Sequence, residues 1–145
     1  MKYMEFREKN FKKLNDFIGK NFVFCFGQKQ YESKLQELHL TDEEFKKQYV
    51  NVGSGLLHKD KVEDYKKLST QAYERLHAKM KSDFEFAKNA FKYEFDNHEC
   101  YYSCQYSDAL CPFNLTRGDL EKDNNLSKAY QAAYKDYTKW CDENL

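Results

Sequence analysis

The sequence predicts an α+β fold, a single compact domain over residues 1–145 that is mostly helical with a small antiparallel sheet. Several stretches repeat apolar residues every three or four positions, as on one face of a helix. Two short segments instead have the composition of strands. A chain of 145 residues has the usual length of one domain, and 41% hydrophobic residues suffice for a core. A single proline and five glycines are too few for a linker.

The first third of the chain predicts two helices with a strand between them. Residues 3–18 place apolar side chains at helical spacing, and Gly19 is expected to end this helix. Residues 22–26 form an apolar run closed by Gly27, which predicts a buried strand. A short helix over residues 30–38 follows. The apolar positions that set the first helical period are Met4, Phe11, Leu14 and Ile18.

Two capping boxes predict the starts of two further helices. In each, a hydroxyl side chain is followed three residues later by an acid: Thr41 by Glu44, and Ser82 by Glu85. We expect the second of these helices to end near residues 97–98. Its inward residues at helical spacing are Phe84, Ala87, Phe91 and Phe95.

Residues 49–59 lie between these two starts and contain two β-like pieces around Gly53 and Gly55. This pattern predicts either a hairpin or a bulged strand. Asp60 is expected to cap the helix that follows, whose apolar period continues to Lys81.

The C-terminal part predicts less regular structure before one long helix. Residues 100–106 indicate a loop or a short strand, and Cys111-Pro112 is expected to break the chain. Residues 115–120 predict a turn and a short helix. The last helix is predicted over residues 126–141. The stripe predicted to face the core consists of Leu126, Tyr130, Ala133, Tyr137 and Trp140.

Composition and charge restrict the class of partner. The charges of the 24 basic and 24 acidic residues cancel. A protein that binds duplex nucleic acid must neutralise phosphates with positive charge, so we do not expect duplex nucleic acid as a partner. The longest apolar run has five residues, against the roughly 20 of a transmembrane helix, so no membrane partner is expected. Residues 1–10 lack the apolar region of a signal peptide, and five cysteines are an odd number for pairing. We therefore expect a cytoplasmic protein.

Aromatic residues are abundant, with 12 Phe, 12 Tyr and one Trp. Exposed tyrosines are suited to contact surfaces. Residues 134–140 interleave aromatics with lysines, as surfaces that bind single-stranded nucleic acid do. At helical spacing, however, Tyr137 and Trp140 lie on the apolar stripe, which favours a role in the core or in a homodimer contact.

Several strings resemble an uncharacterised family of small proteins that bacteriophages and other mobile elements of low-GC gut bacteria encode. Residues 94–99 are the most specific part of the resemblance, which covers roughly residues 20–120. His39 stands where the relatives place a small residue, usually glycine, and Cys100 where they place an aromatic one. The matching strings are residues 24–32, Leu38-His39-Leu40, residues 53–59, residues 91–99, Asp108-Ala109-Leu110 and Leu115-Thr116. The resemblance implies a biological setting and no particular chemistry.

Glu94 and His98 are the candidate catalytic residues. Four residues apart on a predicted helix, they share a face and can touch. A carboxylate beside an imidazole is the pairing that general-base catalysis uses. Asn97 lies on nearly the same side, and with Glu99 it completes the candidate binding residues of this segment. The alternative is an ordinary helix end, with Asn97 as a cap, His98 near the helix dipole and Glu94 in a surface pair.

Two further groups have a chemical and a structural interpretation. Gly53, Gly55 and Lys59 could cradle a phosphate, although two glycines at this spacing more often permit a bulge or a positive φ. Cys100, Cys104 and Cys111 are weak candidates for a zinc site together with the histidine at position 98, and buried cysteines often serve simply as small apolar residues. We expect no cofactor.

The resemblance, the small size, the neutral charge and the aromatic composition together favour binding over catalysis. The expected function is that of a phage or mobile-element accessory protein that engages a host protein, with counter-defence inhibition of the anti-CRISPR kind as one form. The alternatives are a small hydrolase or nucleotide-binding enzyme that uses Glu94 and His98, and a zinc-stabilised module. A homodimer is also compatible with the sequence.

Overall fold

A computed structural model describes all 145 residues and confirms the α+β class, with helices predominating over a three-stranded antiparallel sheet. Contacts between residues group the chain into two units. The sheet unit is Phe11–Thr70, and the helical unit consists of Met1–Asn10 and Gln71–Leu145. That the two units form one domain stays a prediction. None of the helices combines the length and the apolar character that crossing a membrane requires.

The sheet unit contains short helices around the sheet. Thr41 caps the helix that begins at Asp42 with the predicted capping box: its hydroxyl accepts from the N–H of Glu44, and the Glu44 carboxylate accepts from the N–H of Thr41. The elements in order are α2 (Lys12–Asn21), β1 (Phe22–Val23), α3 (Gln28–Leu38), α4 (Asp42–Gln48), β2 (Tyr49–Val52), β3 (Gly55–His58), a 3-10 turn (Lys59–Lys61) and the start of α5 (Val62–Ser82).

The sheet has the strand order β1-β3-β2, with both pairs antiparallel. β2 and β3 form the hairpin that was one of the two interpretations of this segment. Val52 pairs with Gly55, so only two residues make the turn, and Gly53 has the positive φ of 58° that such a turn favours. Leu57 of the central strand is fully buried.

The helical unit is built on two helices that run side by side in the same direction. Lys81 lies 3.8 Å from Asp123, Lys88 lies 3.4 Å from Asp136, and further along Tyr101 contacts Asp142. The elements are α1 (Tyr3–Asn10), the second half of α5, α6 (Phe84–Asn97), α7 (Cys100–Ser103), a 3-10 segment (Tyr106–Phe113), α8 (Arg117–Lys122) and α9 (Asn124–Asn144). The parallel pair is α6 and α9.

The prediction of one continuous helix over residues 3–18 is wrong. The chain forms α1 and α2 in place of one helix, with Phe11 between them at φ −96° and ψ 3°. Arg75 donates to the backbone carbonyl of Asn10, and the Asn10 side chain donates to the Ala72 carbonyl. These bonds hold the end of α1 through residues far away in sequence. Gly19, the predicted end, lies inside α2.

The predicted strand over residues 22–26 is shorter than expected. Only Phe22 and Val23 pair with β3, because their partners Leu57 and Leu56 already lead to Gly55, the first residue of that strand. The side chain of Phe26 is 81% exposed.

Two predicted caps belong to neighbouring residues. Ser82 ends α5, with its hydroxyl donating to the Lys79 carbonyl, and Asp83 caps α6 by accepting from the N–H of Phe86. Similarly, the His58 side chain accepts from the N–H of Asp60 and caps the 3-10 turn before α5. The residues that cap α6 and the 3-10 turn are therefore one or two positions away from the caps that the sequence predicts.

The C-terminal part is more helical than predicted. Residues expected to form a loop or a strand form α7, and Pro112 lies within the 3-10 segment, where the expectation was a break. Two aromatic residues on the predicted apolar stripes face outward. Trp140, expected in the core or in a homodimer contact, is 55% exposed, and Phe84, expected in the core, is exposed while Phe86 is buried.

Candidate functional site

Glu94 is the one charged side chain buried in the core. It lies on the inner face of α6 between the fully buried Phe91 and Phe95, and only 3% of it is exposed. Its carboxylate oxygen Oε2 makes no hydrogen bond. Glu94 is therefore not part of an ordinary surface pair. A buried carboxylate oxygen without a hydrogen bond lowers the stability of the fold, so the groups around Glu94 determine whether it carries a charge.

Tyr3 and Arg7 of α1 supply polar surroundings for this carboxyl group. Arg7 donates to the Tyr3 hydroxyl at 3.2 Å and to the Pro112 carbonyl at 3.0 Å. Burial raises the pKa of Glu94, while the positive charges of Arg7 and His98 act in the opposite direction. Burial also raises the pKa of Tyr3, so its phenol stays protonated.

The structure brings the two predicted catalytic residues together. His98 follows the last turn of α6, and its Nε2 lies 3.5 Å from Oε2 of Glu94. The distance is that of an ion pair, but neither atom makes a hydrogen bond. A buried carboxylate beside a partly exposed imidazole is chemically suited to proton transfer. The neighbouring candidates Asn97 and Glu99 are exposed, and Glu99 adopts a left-handed backbone with φ 51°.

The glycines of the predicted phosphate cradle have structural roles. Gly53 forms the hairpin turn, while Lys59 follows the opposite end of β3, a four-residue strand about 13 Å long. The structure therefore does not bring Gly53 and Lys59 together. A Cβ on Gly55 would lie 2.7 Å from atoms of both Phe22 and Phe24, so this glycine permits close packing of the two rings.

The cysteines do not converge on a metal site. Cys100 is buried and donates to the Gln105 carbonyl, whereas Cys104 and Cys111 are exposed. No group of three or more histidine, cysteine, aspartate or glutamate residues has the geometry to hold a metal ion. Burial raises the pKa of the Cys100 thiol, which disfavours the thiolate form that metals bind.

An open groove beside α9, which we call the α9 groove, was missed as a site from the sequence. It has a volume of about 1400 Å³. Tyr106 and Tyr134 contact each other in it, with ring centroids 4.8 Å apart. The residues that define it here are Tyr106, Tyr130, Tyr134, Arg117, Lys128 and Lys135.

The signal for this groove lay in the interleaved aromatics and lysines of residues 134–140. Helical spacing divides that string between two faces. Tyr137 is buried in the core, whereas Tyr134 is 45% exposed and lines the groove with Lys135. Tyr106 and Arg117 come from segments that the sequence pattern does not connect to α9.

Comparison with known proteins identifies a family and no function. A model of the family of unknown function DUF7659 matches residues 2–136, which is nearly the whole chain. No protein of curated function and no solved structure matches. The chain therefore belongs to the DUF7659 family.

Proposed function

We propose that this protein acts by binding another protein, as an accessory protein of a phage or mobile element that engages a host protein. Inhibition of a host defence protein, in the manner of anti-CRISPR proteins, is one form of this function. The phage setting rests on the resemblance described above. The binding role rests on surface chemistry.

The observation that carries the proposal is the α9 groove with its exposed aromatic lining. Tyrosines and arginines are enriched where proteins bind one another, because they combine a large apolar contact area with hydrogen-bonding ends. The groove offers Tyr134 and Arg117 together. Trp140 and Tyr102 add exposed aromatic surface in the same unit. Burial of such side chains by a partner contributes a favourable free energy of binding, because their apolar ring surface leaves water.

Affinity capture tests this proposal. The tagged full-length protein, incubated with lysate of a low-GC gut bacterium, should retain one host protein in stoichiometric amount. The same two proteins, purified separately, should then form a complex during size-exclusion chromatography. Heat-unfolded bait serves as the control for adhesion to exposed apolar residues. Failure to recover a stoichiometric partner would contradict the binding role.

A second candidate function is supported by Glu94 and His98. Their contact at 3.5 Å, with the carboxyl group buried and its Oε2 without a hydrogen bond, favours a small hydrolase or a nucleotide-binding enzyme in which Glu94 orients His98. Native mass spectrometry of the purified protein would detect a bound nucleotide. His98→Ala should then abolish binding or turnover with little change in melting temperature. A large loss of stability without loss of binding would favour a structural role for His98.

A further inference from the structure

We propose that the α9 groove receives an amphipathic helix of the partner protein, with acidic residues seven positions apart that pair with Lys128 and Lys135. This inference rests on the proposed binding function and names the chemistry of the segment that is recognised.

The two lysines on the α9 side of the groove form no salt bridge. Lys128 and Lys135 lie on the exposed face of α9, and neither forms one of the salt bridges of the protein. On another face of the same helix, Asp136 lies 3.4 Å from Lys88 and 4.0 Å from Lys92, so the cations there are already neutralised. The groove therefore has uncompensated positive charge, which attracts an anionic occupant.

Spacing along α9 defines the pattern of acids that fits. Lys128 and Lys135 are seven residues apart, which is two turns and about 10 Å on a helix. Two acidic residues seven positions apart on a docked helix have the same separation. From Lys128 to Asp142 the groove follows α9 for about 21 Å, the length of a helix of roughly 14 residues.

The tyrosines of the groove offer apolar ring surface for the leucine face of a docked helix, and hydroxyl groups that can donate hydrogen bonds. Burial and the neighbouring Tyr134 raise the pKa of Tyr106 to about 12, so its hydroxyl remains a neutral donor. The Tyr130 side chain lines the groove with its ring, while its hydroxyl is buried. Burial raises the pKa of Tyr130, the positive charge of Arg117 acts in the opposite direction, and Arg117 also lines the groove. The groove thus offers ring surfaces and the Tyr106 hydroxyl beside its cations, which suits an amphipathic acidic helix.

The distribution of charge favours a protein segment over single-stranded nucleic acid. Asp142 lies in the groove at the end of α9 opposite to Lys128. A nucleic acid carries a charge on every nucleotide and would place phosphates against this carboxylate. A helix with acids in one half only avoids that repulsion. The zero net charge of the chain points the same way.

The test uses a synthetic 18-residue helical peptide with leucines on one face and glutamates at two positions seven apart. Fluorescence anisotropy of the labelled peptide should show saturable binding to the full-length protein. The double variant K128E/K135E should weaken binding at least about tenfold. The matched control K122E/K139E changes two exposed lysines of the same unit outside the groove and should bind as the wild type does. Circular dichroism verifies that both variants are folded.

A charge-swapped peptide, with lysines in place of the two glutamates, should prefer K128E/K135E to the wild type. Absence of peptide binding, or equal losses in the two double variants, would overturn the inference. Tighter binding of a 12-nucleotide single strand than of the peptide would also overturn it. If K128E/K135E still captures the host partner, the helix-docking inference fails while the binding function stands. If the wild type captures no partner at all, the binding function itself fails.

Discussion

Gly55 shows how one hydrogen in place of a methyl group maintains the sheet unit. A Cβ at this position would meet the rings of Phe22 and Phe24 at 2.7 Å, closer than side-chain carbons approach other atoms in folded proteins. Gly55→Ala should lower the free energy of unfolding by about 1–3 kcal/mol, because the rings must move from their packed positions. Urea denaturation of the variant and the wild type measures the loss.

Gly19 provides a matched control for this substitution. It lies inside α2 without a positive φ, and apart from the adjacent residues and backbone of that helix, no atom lies within 4 Å of the place that an alanine methyl group would occupy. Gly19→Ala should therefore stabilise the protein by about 0.5–1 kcal/mol, since alanine is the better helix former. Equal changes in the free energy of unfolding for the two substitutions would show that the close approach at Gly55 does not affect stability.

Glu94 makes the stability of the protein depend on pH in a specific direction. Burial raises the pKa of Glu94 in the folded state, so the folded protein binds this proton more tightly than the unfolded chain does. Its contribution to stability is therefore fully present below the ordinary glutamate pKa and is lost as the pH rises through the raised value. Glu94→Gln removes the titration while conserving the shape of the side chain.

We expect Glu94→Gln to gain stability relative to the wild type as the pH increases from about 4 to about 8. Urea denaturation of the two proteins across this range measures the difference in the free energy of unfolding. If the wild type instead gained on the variant with rising pH, the attraction of Arg7 and His98 for the ionised carboxylate would outweigh its desolvation.

Helix ends differ in how well their local sequence predicts them. The capping box of α4 was predicted correctly, because Thr41 and Glu44 satisfy each other over three residues. His39 ends α3 in the left-handed conformation, with φ 57°. Glycine is favoured there because it lacks the Cβ that makes this conformation unfavourable, so a histidine at this helix end is not predicted by the local sequence.

The cap of α6 gives a direct test of which residue starts this helix. Asp83 accepts from the N–H of Phe86 and pairs with Lys79, whereas Ser82 only donates to a carbonyl of α5. Asp83→Ala should cost about 1 kcal/mol of stability. Ser82→Ala is the neighbouring control and should change stability by less than about 0.5 kcal/mol. Thermal denaturation compares the two variants. A larger effect of Ser82→Ala would support the cap that the sequence pattern predicted.

The stability of the whole protein should not depend on bound metal. Cys100 is buried as a neutral thiol, and no three potential ligands lie close enough to share an ion. Excess EDTA should leave the melting temperature unchanged, as measured by differential scanning fluorimetry. A zinc-stabilised module would instead lose its folded state on chelation, and a drop of several degrees would revive the cysteine site.

Some aromatic residues of the helical unit are buried in its core, and others are exposed to solvent. Phe91 and Phe95 are fully buried, while Trp140 and Tyr134 of α9 reach solvent. Periodicity could not separate these groups, because Trp140 falls on the same helical stripe as the buried Tyr137. The buried stripe of α9 continues from Tyr137 to Cys141, which is 1% exposed, so Cys141 takes the last inward position and Trp140 is turned toward solvent.

The sequence by itself determined what depends on neighbours a few residues away: most helical periods, the capping box at Thr41 and the proximity of Glu94 and His98, with the hairpin as one of two interpretations of its segment. These follow from spacing of three or four residues or from a two-residue turn. Tertiary structure alone decided the break at Phe11, the burial of Glu94 and the assembly of the α9 groove. Each of these depends on contacts between segments distant along the chain, such as Arg75 with Asn10 or Tyr106 with Tyr134, and no local pattern specifies which segments will meet.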